Sequence, residues 1–135
     1  MRQITITIPG KIHPSLNALN RMHWAAKGKL KKEWETEIFW LVKAQGWRVP
    51  LKRAQVRITY YLGGNYRADK DNRTPKMIMD GLVKAGVLED DNTRVVDLDW
   101  EIHPGKPRRT EIRVTEKCIA MKGEYVQSIN RVGRP

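Results

Sequence analysis

The chain has 135 residues, 40% hydrophobic and 30% charged, a composition that suits one folded domain and excludes a disordered chain. A single cysteine, Cys118, excludes an internal disulfide, and no apolar run approaches the roughly 20 residues of a membrane span. Lys and Arg number 26 against 15 Asp and Glu, a net charge of +11, which favours a polyanionic partner, nucleic acid first.

The N-terminal stretch "MRQITITIPG" alternates polar and apolar residues, so it lacks the continuous apolar core of a secretory signal. With the unpaired cysteine, this leads to the expectation of a cytoplasmic protein with no membrane association. Ile4, Ile6 and Ile8 recur at period two and predict a first strand. "HPSLNALNRMHW" holds Pro, Ser and three turn-forming residues, and reads as a basic loop. From Ala25 to Gly46 the period becomes helical. Leu30, Trp34, Ile38, Leu41 and Val42 form a stripe, with Lys29, Lys31, Lys32, Glu35 and Lys43 opposite, and Gly46 is the expected stop.

"AQVRITYYLGG" predicts a second strand through Val56, Ile58, Tyr60 and Leu62. A second helix is expected to start at Thr74 and Pro75, with Thr74 as N-cap and Pro75 at the first helical position. Ile78, Met79, Leu82 and Val83 are its apolar stripe, and Gly86 ends it. "LEDDNTR" reads as a turn. In "VVDLDWEIH", Val96, Leu98, Trp100 and Ile102 alternate with Asp97, Asp99 and Glu101, the pattern of a half-buried strand. "GKPRR" is a basic turn, and "TEIRVTE" a last strand through Ile112 and Val114. The order β-α-β-α-β-β defines a mixed α/β (α+β) fold, one small domain over residues 1–120 with a mixed sheet and two main helices. Residues 121–135 form a polar, basic tail that is expected to be mobile.

The chemistry concentrates in "RADKDNRTPK". Asp69 and Asp71 are two apart, so on extended backbone both point the same way, with Cα atoms roughly 7 Å apart. Two such carboxylates share a hard cation readily, and an all-oxygen ligand set suits Mg²⁺ or Mn²⁺ rather than zinc. Arg67 and Lys70 would offset part of their repulsion, so a plain surface pair is the competing reading. "EDD" supplies further carboxylates in Glu89, Asp90 and Asp91. Lys76 falls in a first helical turn, where the macrodipole disfavours a cation unless something negative is near. A lysine aimed at a phosphate beside metal-binding carboxylates is the equipment of phosphodiester hydrolysis.

Other chemistries fit less well. His13, His23 and His103 lack metal-ligand spacing, and one cysteine cannot complete a zinc site. Ser15 and Ser128 lie in no nucleophile motif, and no phosphate-binding glycine loop is present. Asp97, Asp99 and Glu101 read as the wet face of a strand. Trp24, beside His23 in the basic loop, is either a core or interface residue, like Trp34, Trp40, Trp47 and Trp100, or a stacking platform for a base.

The run "DKDNRTPKMIMDGLVKAGVLEDDNTRVVDLDW" resembles the RusA family of Holliday junction resolvases, small endonucleases of phages and prophages. The likeness covers residues 66 to 102 specifically. It extends weakly to the first strand, to "PSLNALNRMHW" and to "RRTEIRVTE". The resemblance implies a twofold dimer that nicks four-way DNA junctions symmetrically with Mg²⁺, for which Mn²⁺ may substitute, and with no small-molecule cofactor. It places Asp69, Asp71 and Asp91 as the metal-binding catalytic aspartates and Lys76 as the catalytic lysine. Counting back from Asp80 sets Lys76 at the family's lysine; counting forward from Asp71 would set Pro75 there, and proline cannot serve. Arg67, Lys70, Arg73, Arg21, Lys27 and His23 are the expected DNA contacts. A nuclease for flaps or forks, or a DNA-binding protein without catalysis, would share the charge.

Overall fold

The computed structural model describes residues 2–64, 74–92 and 96–117. Arg67, Asp69, Lys70, Asp71, Arg73, Cys118 and the 121–135 tail lie outside these residues. The elements in chain order are β1 (Gln3–Pro9), α1 (Leu16–Arg21), α2 (Trp24–Ala44), β2 (Ala54–Tyr61), α3 (Lys76–Lys84), β3 (Val96–His103) and β4 (Arg109–Glu116). The four strands form one mixed sheet in the order β1-β4-β2-β3. β4 pairs antiparallel with both β1 and β2, while β2 and β3 run parallel around the α3 crossover.

The period-two pattern explains which face of the sheet is covered. Ile4, Ile6 and Ile8 of β1, Val56, Ile58 and Tyr60 of β2, and Ile112 and Val114 of β4 are all buried. They form one core with Trp34, Ile38 and Val42 of α2 and Ile78 and Leu82 of α3. The alternate residues make a polar outer face, where Arg57 meets Asp97 at 3.4 Å and the Arg109 guanidinium lies 3.7 Å above the Tyr61 ring. On the edge strand β3, Val96 is buried, and Leu98, Trp100 and Ile102 are half-covered. Asp97 and Glu101 are exposed, as the reading of a wet face requires, and pair with Arg57 and His103. Asp99 departs from that reading, half-buried with its carboxylate accepting from Trp100 N–H at 2.9 Å. Charges on an edge strand also discourage pairing with another chain.

Three local expectations change. "PSLNALNR" is not all loop. Ser15 caps a short helix by accepting from Ala18 N–H at 3.1 Å, and Leu19 anchors it in the core. The turn-forming residues are equally good cap formers, and one buried leucine decided between them. On α2, Lys31 and Glu35 do not lie on a fully wet face. They meet α3, Lys31 at 3.6 Å from Asp80 and Glu35 at 3.1 Å from Lys84.

The third change is at α3, which starts one residue later than expected. Pro75 occupies the cap position and Thr74 does not cap the helix. Instead, the backbone N–H of Met77 donates to Nε2 of His13 at 3.1 Å. A distant imidazole thus satisfies a donor that local sequence would assign to threonine. Gly86, at φ 83°, closes the helix as expected.

Candidate active site

The sheet has two ends, and they carry different chemistry. Pro9, Tyr61, His103 and Arg109 share one end by strand register. β2 leaves the sheet there through Gly63 and Gly64, just before the segment that holds Asp69 and Asp71. The connection from β3 to β4 crosses over the same point. Gly63 N–H donates to Gly105 O at 3.0 Å and Leu62 N–H to His103 O at 2.8 Å. Gly63 has φ 84°, and a Cβ there would meet Cβ of Arg108 at 3.0 Å. Glycine is therefore required by both the backbone and the crossing chain. The crossing turn brings exposed Lys106 and Arg108 to the point where β2 leaves the sheet. No local pattern in "GKPRR" announces that position, so neither residue was among the sequence candidates.

The N-terminus of α3 lies at this end too, because His13 follows β1 by four residues and accepts from Met77. Lys76 is thereby placed in the first turn of α3 and is exposed. It makes no ion pair among the described residues. His13 is buried, with Nδ1 2.9 Å from Pro14 O and its ring 6.0 Å from that of Trp34. Since Met77 donates to Nε2, that nitrogen carries no proton, and Nδ1 is the donor. His13→Ala would strand a buried N–H, at a cost of about 1–3 kcal/mol, and release the turn that carries Lys76. Thermal denaturation should show the loss, and His13→Gln, which keeps an acceptor, should recover part of it. A His13→Ala protein as stable as the parent would remove this role.

Asp91 lies at the opposite end of the sheet. Glu89 N–H donates to Leu51 O, Leu51 and Leu88 form a parallel bridge, and Val96 N–H donates to Asn92 O at 3.0 Å. These contacts hold the 89–92 turn beside the start of β2 and β3. The nine residues of α3, about 13 Å at 1.5 Å each, separate Lys76 from this end. Within one chain, then, Lys76 and Asp91 are not brought together. The turn itself is built by Asp90. Its carboxylate accepts from Asp91 N–H at 2.7 Å and from the Asn92 amide at 2.8 Å. The Asp91 N–H first, and then the Asn92 amide, hold the Asp90 carboxyl below the usual carboxylate range. A lowered folded-state pKa means that the turn's support is present above the ordinary value and is lost as pH falls through the lowered one.

Among the described residues, no group of three His, Cys, Asp or Glu side chains is placed to hold a metal ion. Of the expected DNA contacts, Arg21, His23 and Lys27 are exposed at α1, at the cap of α2 and in its first turn. Among the described residues, no helix is long and apolar enough to cross a membrane. No family model and no curated protein matches this chain.

Proposed function

We propose that the protein is a structure-selective, divalent-metal-dependent endodeoxyribonuclease of RusA type, which resolves four-way DNA junctions by paired nicks. The observation that carries this reading is the end of the sheet at which β2 departs. The chain enters the Asp69–Asp71 segment there, Lys76 is displayed on the first turn of α3, and Lys106 and Arg108 flank the exit. Exposed cations gathered where the chain enters a segment with two aspartates would suit phosphodiester hydrolysis.

Asp69, Asp71 and Asp91 offer only carboxylate oxygens, which fits Mg²⁺ or Mn²⁺. A bound cation there would lower the pKa of its water and polarise the scissile phosphate. Lys76 would stabilise the charge that builds on the phosphoryl oxygens. Its position at a helix start, where a cation is disfavoured, is relieved when a phosphate is bound. The distance between Asp91 and Lys76 along α3 makes the dimer part of the proposal. A twofold pair can set the Asp91 turn of one protomer against the aspartate segment of the other. Two such sites would face the two equivalent strands of a junction.

The test is a gel assay of the purified protein on a synthetic four-way junction and a linear duplex, with Mg²⁺, Mn²⁺ or EDTA. Symmetric, metal-dependent nicks in the junction alone are expected. Cutting of flaps or forks in preference to the junction would move the protein to a different branched substrate. Lys76→Ala should lower the cutting rate by roughly 10²–10³, the range for losing one transition-state donor, with affinity little changed. Equal losses in rate and affinity would make Lys76 a binding residue only. A second reading, DNA binding without catalysis, is favoured by one observation: Lys76 and Asp91 stand apart within the chain. It predicts binding without nicks in any metal.

A further inference from the structure

Among the described residues, the first half of α2 meets the rest of the chain only lightly, through Leu30 against the core and Lys31 beside Asp80 of α3. From Trp24 to Glu33 no residue is buried, and only Leu30 and Lys31 are partly covered. Burial begins at Trp34, whose ring faces His13 beyond the end of β1. Further along α2, the Gln45 side chain reaches back to Thr5 O in the middle of β1. The first turns of α2 therefore project past the end of the sheet from which the aspartate segment departs. Helices in proteins are held mainly by packing one face, so an uncovered half-helix is positioned for a partner.

The composition of that half selects the partner. Lys27, Lys29 and Lys32 are exposed, and none of them makes an ion pair among the described residues. Trp24 is 79% exposed, with the His23 ring 5.5 Å away. Gly28 is the telling residue. Glycine is the poorest helix former after proline, yet a Cβ at Gly28 would meet nothing within 4 Å. Among the described residues, no neighbour requires glycine there. It instead floors an open groove of about 790 Å³, lined by Lys11, Gly28, Lys29, Lys32, Thr36 and two glutamates. One glutamate, Glu37, is already paired with Lys11 at 3.2 Å.

The geometry points to a nucleic-acid-binding arm. A DNA backbone runs over Gly28 between Lys29 and Lys32, and Trp24, one turn earlier, stacks on a base that has left the duplex at the branch. Glycine lets the backbone approach the helix closely, the lysines meet phosphates, and the tryptophan supplies a face to any base. A second copy of the chain fits less well, because two arms of like charge would repel. The inference takes its ligand class from the nuclease proposal, but it concerns binding and stands apart from cleavage.

The experiment is fluorescence anisotropy in EDTA, with the full chain and labelled four-way junction, single strand and duplex over a range of salt. Gly28→Leu should weaken all three about tenfold or more without lowering the melting temperature. The Lys29→Gln, Lys32→Gln double variant should reduce the salt slope by about 2, near 0.9 per lost phosphate contact. Trp24→Ala should weaken junction and single strand by about tenfold and duplex less, and Trp24→Phe should restore part of the loss. Unchanged binding in all of these would overturn the arm. So would unchanged binding with a change in oligomeric mass, which would assign the surface to self-association. Parallel cleavage assays separate the two proposals. Arm variants that bind normally while the wild type cuts junctions leave the nuclease reading intact, whereas arm-dependent binding without cleavage leaves only the arm.

Discussion

Asp71→Asn should abolish cleavage of a four-way junction and leave junction binding intact or tighter. The two effects have one cause. Asparagine keeps the shape of the side chain but contributes no negative charge to hold a cation. Loss of an outer-shell partner of a metal site costs roughly 10–100-fold, so loss of a direct ligand should exceed that and bring cutting to background. Removal of a carboxylate from a protein of charge +11 also lessens repulsion of phosphate. Binding should therefore hold or improve, most visibly at low salt. The measurement is a pair of gels on one preparation, nicking in Mg²⁺ and mobility shift in EDTA. A variant that nicks near the parent's rate would end the metal-site proposal for "DKD", whatever the protein binds.

The largest effect on stability is expected at Ile38. This side chain is fully buried and lies where α2 crosses α3. Its Cδ1 is 2.8 Å from where a Cβ on Gly81 would stand. The methyl fills the notch that the glycine leaves, and the two helices close on each other there. Ile38→Ala would open a cavity in that notch and cost about 2–5 kcal/mol, a large part of the roughly 5–15 kcal/mol that holds a domain. Urea or thermal unfolding would measure it. A loss below about 1 kcal/mol would mean that α2 and α3 do not pack tightly. The reverse change, Gly81→Val, should also destabilise, because overpacking costs about 1–3 kcal/mol. The glycine of "DGLVKAG" thus has a packing reason that is independent of catalysis.

Much of the fold was legible because periodicity is a local property. Alternating Ile4, Ile6 and Ile8, or Val56, Ile58 and Tyr60, can cover only one face of a sheet. The Trp34, Ile38 and Val42 stripe can cover only one face of a helix. Gly46 and Gly86 end helices because both take positive φ, at 74° and 83°. What misled was the competition between local partners and distant ones. Thr74-Pro75 is a sound start signal, but His13 holds the α3 N-terminus from across the molecule. "PSLNALNR" is rich in turn formers, but Leu19 had a core to enter.

By itself the sequence determined the charge, the mixed strand and helix order, and the residue types on which the proposed metal-assisted phosphodiester chemistry rests. These are properties of single residues and short spacings. Only the tertiary structure decided which candidates share a place. It set Lys76 at the end of the sheet where β2 departs, added Lys106 and Arg108 from the crossing turn, and left the basic half of α2 projecting past that end. It put Asp91 at the other end of α3. Spacing along a chain of mixed strands and helices does not carry this information. A helix of nine residues reverses direction against the strand before it, so residues fifteen apart in sequence stand at opposite ends of the sheet.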